Sequence, residues 1–581
     1  MKSKALKIAE HLTRYQQKDG LIDPLLNKPI RNSYGNAFYA LLCATIYQNT
    51  KYQDTKKKVW LKRAIKAIDN ELKSVDNRSK LSGVFRWEFK NYALINSFLI
   101  LKEELPLKTG KRIVNVLTSW LNTCSFQSNW VAMRMLNHHL RYLTFGKKKD
   151  LMRSSFEAKI LLRRQLKNGF FPDDINSNSF QYHAYVLSLL YQYYDLTKNE
   201  RIKQAFLKGV DFIISFINPE GDFSYYGRGQ EQIFGYGALI HSLSGAYKIT
   251  TDPKYSQLAK LVFSYSNKYN QRDNKKNNNG TNKVSTNWPI VINNSEDKKA
   301  GWYLYNNKID YLSFYALYLL LASKNLKEKA GLKRKVNTKE KTLNNNQNYN
   351  HFHTQNYIAI AAGGKDSSEI GGIANIFPKV FPTQGGPPTF LSKEQRDYSL
   401  NYLGPLFKSK NPIFQKAGKT IVKKNFVKLI YNLEKFNLTY FYDFNQGVKL
   451  EVCISPKEEI TIVPLHLISF NKPNVNTNAN LDLNLKLTEK GEIYTPDGVA
   501  RIYESKEIKI RDPFKYNLQL SKNPSVSHIF SRKISFVQWA IYKFNKTVYL
   551  GLSLLFKLLF RSKDFSLLLK YYKSTKRYYQ K

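Results

Sequence analysis

Residues 166–185 read LKNGFFPDDINSNSFQYHAY, and their pattern decides the fold. A run with apolar residues three and four apart, 151–166, stops at this stretch. Asn168-Gly169-Phe170-Phe171 makes a glycine turn, and a second run of the same period continues over 179–196. Related turns occur at Lys18-Asp19-Gly20-Leu21-Ile22, Ser82-Gly83-Val84-Phe85 and Glu220-Gly221-Asp222-Phe223, each a glycine followed by an apolar or aromatic residue. Outward from there, helical spacing covers 3–16, 36–49, 58–73, 91–103, 109–122, 129–144, 151–166, 179–196, 200–217, 230–248, 254–268 and 310–324. These twelve segments make six hairpins, and a helix–turn–helix unit returning every fifty residues, roughly, marks a repeat architecture. Six hairpins can close into an (α/α)6 toroid, whose inner-helix ends form a broad cleft. A linear helical solenoid is the competing arrangement.

Two stretches rich in Asn and Lys interrupt the helices, 271–300 and 325–350. The first reads as a surface loop and the second as a linker. After His351 the period changes to two: Leu481-Asp482-Leu483-Asn484-Leu485-Lys486-Leu487-Thr488 alternates without a fault. Similar runs are 427–444, 447–455, 459–467, 499–505 and 507–511, with Gly, Pro and Asn between them. Helices first and strands second predict a multi-domain α + β chain. The expected division is a catalytic (α/α)6 toroid over 1–325, a linker over 326–350, an antiparallel β-sandwich over 351–530 and a basic amphipathic helical tail over 531–581.

The 581 residues include 92 Lys and Arg against 44 Asp and Glu, a formal net charge of +48. So large an excess points to a polyanionic partner, although Lys and Asn enrichment also follows from an AT-rich genome. Apolar residues at 42% suffice for sizeable cores and exclude a disordered chain. Aromatics reach 14%, mostly Tyr and Phe, as is common where rings stack on sugars or bases. Cys43, Cys124 and Cys453 lie far apart, which excludes a disulfide framework and a metal-ligand cluster.

Residues 1–20 read as an amphipathic helix without the apolar core of a signal peptide, so the expected location is cytoplasmic. No stretch approaches the ~18–20 apolar residues of a membrane span. The apolar run 548–560 is short, holds Lys557, and lies in a tail with many cations and almost no acid. Two readings of 531–581 stay open: peripheral contact with an anionic membrane, or a helix packed on its own domain. The chain has no P-loop, no G-x-S-x-G elbow and no paired C-x-x-C. Gly227-Arg228-Gly229 has no parallel strand before it, and no nucleic-acid-binding signature accompanies the spread-out charge, so no nucleic-acid partner is expected.

Three consecutive hairpins open a helix with polar and aromatic residues. They are Ser128-Asn129-Trp130 followed by Arg134; Asn178-Ser179-Phe180-Gln181-Tyr182-His183-Ala184-Tyr185; and Phe223 to Tyr236, which includes Tyr225, Tyr226, Arg228 and Glu231. At the ends of inner helices these groups would converge on one mouth. β-Elimination on a uronic-acid polymer needs a donor that neutralises the carboxylate, a base for the C5 proton and an acid for the departing oxygen. Asn, His, Tyr and Arg are suited to those tasks. Each element has a plainer alternative: an Asn-Trp pair is commonly a cap before a core ring, and a lone His a hydrogen-bonded structural residue.

The toroid-plus-sandwich order, the Ser-Asn-Trp, the Tyr-His-x-Tyr at 182–185 and the Tyr-Gly-Arg at 226–228 together resemble polysaccharide lyases of the heparinase II/III type. More distantly they are similar to hyaluronate, chondroitin and alginate lyases of toroid fold. The resemblance covers about 30–520, with short motifs. It implies an acidic polysaccharide substrate and no organic cofactor. Asn129 and His183 would neutralise the carboxylate, Tyr236 or Tyr226 would move protons, and His353, from His351-Phe352-His353 before the sandwich, would be a further base. Trp130, Arg134, Tyr182, Tyr185, Tyr225, Arg228 and Glu231 would line the substrate. A structural metal at His351 and His353 has no supporting carboxylate spacing. The rival functions are a toroid-fold hydrolase using Asp173, Asp174, Asp222 and Glu231, and a non-catalytic glycan-binding or assembly protein.

Overall fold

The computed structural model describes residues 1–272 and 307–326, apart from 18–19, 25–26, 30–32, 51–55, 77–86, 119–125, 174–178, 218–220 and 224–231, together with the strands between 349 and 522. Twelve helices occupy the first part: α1 (Lys2–Thr13), α2 (Gly35–Asn49), α3 (Lys56–Asp76), α4 (Trp87–Leu101), α5 (Leu107–Thr118), α6 (Ser128–Phe145), α7 (Lys148–Arg164), α8 (Phe180–Thr197), α9 (Glu200–Ile214), α10 (Ile233–Thr250), α11 (Pro253–Arg272) and α12 (Lys308–Asn325). Their ends carry the expected signals. Ser179 Oγ accepts from the Tyr182 amide, Asn199 Oδ1 from that of Ile202, and Asn307 Oδ1 from that of Asp310. Gly146, at φ 68°, ends α6.

The two sets of helices bury different amounts of surface. In α9 the buried residues are Ile202, Ala205, Phe206, Gly209, Val210, Phe212 and Ile213, a single stripe. In α7 they are Asp150, Ser154, Glu157, Ala158 and Leu161. A stripe of this kind covers one side of a helix facing a core. In α10, by contrast, every residue from Ile233 to Ala246 is buried, and in α6 every residue from Ser128 to Arg141. Helices buried all round need neighbours on every side, and the contacts supply them. Each of α2, α4, α6, α8 and α10 packs on the next even-numbered helix, and α12 packs back on α2. The odd-numbered helices lie outside: α3 on α2, α5 on α4, α7 on α6, α9 on α8, α11 on α10, and α1 on α12. The result is a closed ring of six hairpins, which excludes the linear solenoid.

Closure depends on one junction. The Asp310 carboxylate accepts from the Gly35 amide at 2.6 Å, from Asn307 Nδ2 at 2.9 Å, and from the Ser33 hydroxyl. At Gly35 the first turn of α2 lies against the backbone of α12: a Cβ there would sit 2.7 Å from the Asp310 nitrogen.

The recurring glycine turns join outer helices to inner ones. Gly169 and Gly221 take φ near 100°, a conformation that side chains other than glycine's rarely adopt, and each lies against the next outer helix, at Lys208 of α9 and Leu261 of α11. Each turn is followed by buried aromatics, Phe170 and Phe171 or Phe223. The turn at Gly20 has become a small antiparallel sheet of β1 (Gln16–Gln17), β2 (Gly20–Asp23) and β3 (Lys28–Pro29). The Gly83 turn lies outside the described residues.

The remaining strands form three sheets. β4 (Tyr349–His353), β5 (Ile358–Ala362) and β6 (Gly372–Phe377) pair antiparallel in that order. The others are β7 (Gln384–Gly385), β8 (Tyr402–Phe407), β9 (Lys419–Lys423), β10 (Phe426–Asn432), β11 (Phe436–Asp443), β12 (Gly447–Pro456), β13 (Ile460–Ser469), β14 (Thr488–Thr495), β15 (Gly498–Glu504), β16 (Ile508–Ile510) and β17 (Phe514–Lys522). One sheet has the order β17-β12-β11-β10-β9, and the other β14-β15-β13-β8-β7 with β16 also on β13. The run 427–444, expected as one strand, is the hairpin β10–β11, with Phe426 opposite Asp443. Pairing is antiparallel except between β7 and β8, which run parallel. The alternating run 481–487 and the tail 531–581 lie outside the described residues. Among the described residues no helix is long and apolar enough to cross a membrane.

Gly35→Ala should destabilise the ring by about 2 kcal/mol or more, because two backbones must separate to admit the methyl group. Asp310→Ala should cost about 1–2 kcal/mol through loss of its buried acceptor contacts. Urea unfolding of both variants measures this, and a midpoint equal to that of the unmodified protein would refute the role of the junction.

Candidate active site at the mouth of the helical ring

Connections at the two ends of the ring differ in length. From inner to outer helix the chain uses 50–55, 102–106, 146–147, 198–199 and 251–252; from outer to inner it uses 14–34, 77–86, 119–127, 165–179, 215–232 and 273–307. Tight turns between packed helices force them antiparallel. All six inner helices therefore start at the same end, the end that carries the long loops. Loops held by a rigid scaffold are where binding and catalytic groups concentrate. Asn129, His183 and Tyr236 do lie in the first turns of three successive inner helices.

Their side chains do not meet. The His183 ring lies between α8 and the outer layer, where Nδ1 accepts from the Phe171 amide at 3.0 Å and Nε2 donates to the Gly209 carbonyl at 3.0 Å. It packs on Phe170 and Phe212 and is fully buried. Both nitrogens are used, and burial holds the imidazole neutral, with a pKa lowered to about 3. In this structure His183 thus joins α8 to the turn at Gly169 and to α9. Tyr236 points outward in the same way: its hydroxyl donates to Asp222 Oδ1 at 2.8 Å, and its ring stacks on Tyr265 of α11. It is fully buried. Arg134, expected to hold substrate, is 1% exposed and pairs with Glu157 of α7 at 2.9 Å.

The inward face carries aromatic rings. The start of each inner helix provides one: Tyr34 before α2, Phe89 in α4, Trp130 in α6, Tyr182 in α8, Phe234 in α10 and Tyr311 in α12. Tyr34 stacks on Phe89 at 4.6 Å, and Phe89 meets Trp130 edge-on at 5.3 Å. On the other side Tyr182 lies 5.6 Å from Phe234, and Phe234 5.0 Å from Tyr311. Below them Tyr185 stacks on Phe89 and donates its hydroxyl to Met133 Sδ at 2.8 Å. Burial pushes the Tyr185 hydroxyl well above the usual tyrosine range, so it stays protonated and belongs to the interior.

Asn129 differs from His183 and Tyr236. Its Oδ1 accepts from the Trp130 amide at 3.0 Å, and its Nδ2 makes no hydrogen bond among the described residues. Sequence reasoning missed a polar cluster next to the rings, in which Gln181 Nε2 and the Tyr311 hydroxyl both donate to Gln232 Oε1 at 3.1 Å. The signal was present, since Gln181 and Gln232 stand beside the expected helix starts. Tyr225, Tyr226, Arg228 and Glu231 lie outside the described residues, immediately before α10. His353 is the last residue of β4. Among the described residues no group of three or more His, Cys, Asp or Glu is placed to hold a metal ion.

No protein-family model and no curated protein matches the chain. Solved structures that it resembles include an unsaturated glucuronyl hydrolase mutant of Streptococcus agalactiae, with 13% identity, a TM-score of 0.40, and coverage of 55% of this chain and 89% of that one. The GH76A alpha-1,6-mannanase of Salegentibacter gives 12% identity, a TM-score of 0.40, and 55% and 98% coverage. A glycosyl hydrolase of family 88 from Bacteroides vulgatus gives 12% identity, 0.38, and 56% and 100%. The closed ring described above stands on its own helix contacts.

The His183 geometry makes stability depend on pH. Its folded pKa, about 3, lies below the unfolded value of 6.5. The unfolded chain therefore takes up the proton first, and stability present above pH 6.5 is lost as the pH falls towards 3. His11, lowered to about 4, and His241, lowered to about 3, act in the same direction. Each contributes a slope of up to about 1.4 kcal/mol per pH unit. His183→Gln should flatten the dependence of urea-unfolding stability on pH over that window. An unchanged slope would show that the ring nitrogens are not buried as described.

Proposed function

We propose that this protein binds an acidic, uronic-acid-containing polysaccharide across the mouth of the helical ring and cleaves it by β-elimination, as a heparinase II/III-like lyase would. The observation that carries the proposal is the set of six aromatic rings, one from the start of each inner helix, with Asn129 Nδ2, which makes no hydrogen bond among the described residues, beside Trp130. Aromatic faces suit the apolar faces of pyranose rings, and a chain of formal charge +48 attracts a polyanion.

In this scheme Asn129 Nδ2 donates to the substrate carboxylate and stabilises the charge that develops when the C5 proton leaves. Tyr226, or its neighbour Tyr225, takes that proton. The electron pair forms the C4–C5 double bond, the C4–O bond breaks, and the same hydroxyl returns a proton to the departing oxygen. Arg228 and Glu231, also in the connection before α10, hold the sugar, and Arg228 favours the ionised form of a nearby tyrosine. His353 is the alternative base. His183, Tyr236 and Arg134 have no part in the chemistry, because their polar atoms serve the contact between inner and outer layers.

Hydrolysis is the second reading. Asp173 and Asp222 are both buried and follow the equivalent turns at Gly169 and Gly221. The products separate the two: elimination leaves an unsaturated uronate that absorbs at short ultraviolet wavelengths, whereas hydrolysis shortens the chain without that chromophore.

The purified protein should raise this absorbance with heparan sulfate, hyaluronate, alginate or a capsule extract. Asn129→Ala should lower kcat by about a hundredfold, and Tyr226→Phe should abolish turnover while polymer binding persists. Chain shortening without the chromophore would replace elimination by hydrolysis, and binding without any cleavage would make the protein a glycan-binding one.

A further inference from the structure

We propose that Gln232, with Gln181 and Tyr311, forms a subsite that takes a neutral ring hydroxyl of the bound sugar. The proposal rests on the carbohydrate-binding reading above and adds a specificity determinant to it. Gln232 is the N-cap residue of α10 and is fully buried. Its Oε1 accepts two hydrogen bonds, from Gln181 Nε2 and from the Tyr311 hydroxyl, each 3.1 Å long. Its Nε2 is buried and has no hydrogen-bond partner among the described residues. Buried amide donors in folded proteins are nearly always paired, so an unpaired one at the start of an inner helix marks a place for an acceptor from outside the chain.

The surroundings point to a sugar. Phe234 packs between Tyr182 and Tyr311 beside the amides, giving mostly apolar walls with a few fixed polar groups, the usual make-up of a small-molecule site. The cluster is made of two amides and a phenol, with no ionised group among them. With Oε1 held by two donors, the free end of the Gln232 amide is the Nε2 donor. A neutral hydroxyl oxygen satisfies it, whereas a carboxylate buried there would find no cation within the cluster. The subsite therefore takes a ring hydroxyl and leaves the uronate carboxylate to Asn129 and the cation before α10. Gly235 contributes by absence: a Cβ there would lie 2.6 Å from Gln181 Cβ and 3.2 Å from Gln181 Oε1, so a larger residue would push the Gln181 amide from Gln232.

The test titrates the full-length protein with hyaluronate, alginate and heparan sulfate oligosaccharides and with the same oligosaccharides O-acetylated on their ring hydroxyls. The unmodified protein should bind the free form of its preferred oligosaccharide about tenfold more tightly than the acetylated form. Gln232→Ala should bind the free form about tenfold more weakly and lose the preference. Tyr311→Phe, which removes one oxygen and keeps the ring, should also lose the preference, and it stands in if Gln232→Ala does not fold. Binding of the free form with the preference intact in either folded variant overturns the subsite and leaves the carbohydrate reading standing. Failure of the unmodified protein to bind any of the three overturns both together.

Discussion

The helical half of this protein depends on one buried carboxylate. Asp310, at the start of the last inner helix, accepts from the Gly35 amide, the Ser33 hydroxyl and the Asn307 amide, and so joins that helix to the first. The junction adds to the apolar packing of α2 on α12, where Phe38 stacks on Phe314. With it, α2 and α12 bury each other, and helices such as α6 and α10 can be apolar on every side. The site requires glycine for a spatial reason, since the two backbones approach too closely for a side chain at position 35.

Polar groups on the inner helices serve the boundary between layers. Arg134 pairs with Glu157, His138 with Asp150, His183 with the backbone of the next outer helix, and Tyr236 with Asp222. Burying such groups is tolerable only when each finds a partner, and the outer helices and turns supply them. The centre of the ring is left to aromatic side chains. Polar residues of an inner helix that face outward therefore hold the fold, and those at its inward N-terminal edge are the ones proposed above to meet a ligand.

Much of the fold was legible in the sequence. All twelve helices lie within a few residues of the segments marked by apolar spacing, and the glycine turns at 169 and 221 were identified from their type and surroundings. Strand limits were less legible. The run 427–444 shows continuous β-type residues, yet the chain reverses between Asn432 and Phe436, because alternation gives the period of a strand and not the place where it turns. The candidate site was legible only in part. His183 and Tyr236 stand in the expected first turns, but His183 falls one residue past the inward-facing Tyr182 and Tyr236 two residues past the inward-facing Phe234. One residue of helix rotates a side chain by about 100°. Tyr182 therefore faces the interior while His183 faces the outer layer.

The sequence by itself determined the hairpin repeat, the change to strands after residue 351 and the excess of positive charge, because periodicity and composition are local properties. Only the tertiary structure decided that the hairpins close into a ring, which residues face its centre, and that His183, Tyr236 and Arg134 are held in the walls. The physical reason is that closure and facing depend on contacts between residues far apart in the chain. Asp310 meets Gly35 across 275 positions, and no spacing rule within one helix reports such a contact.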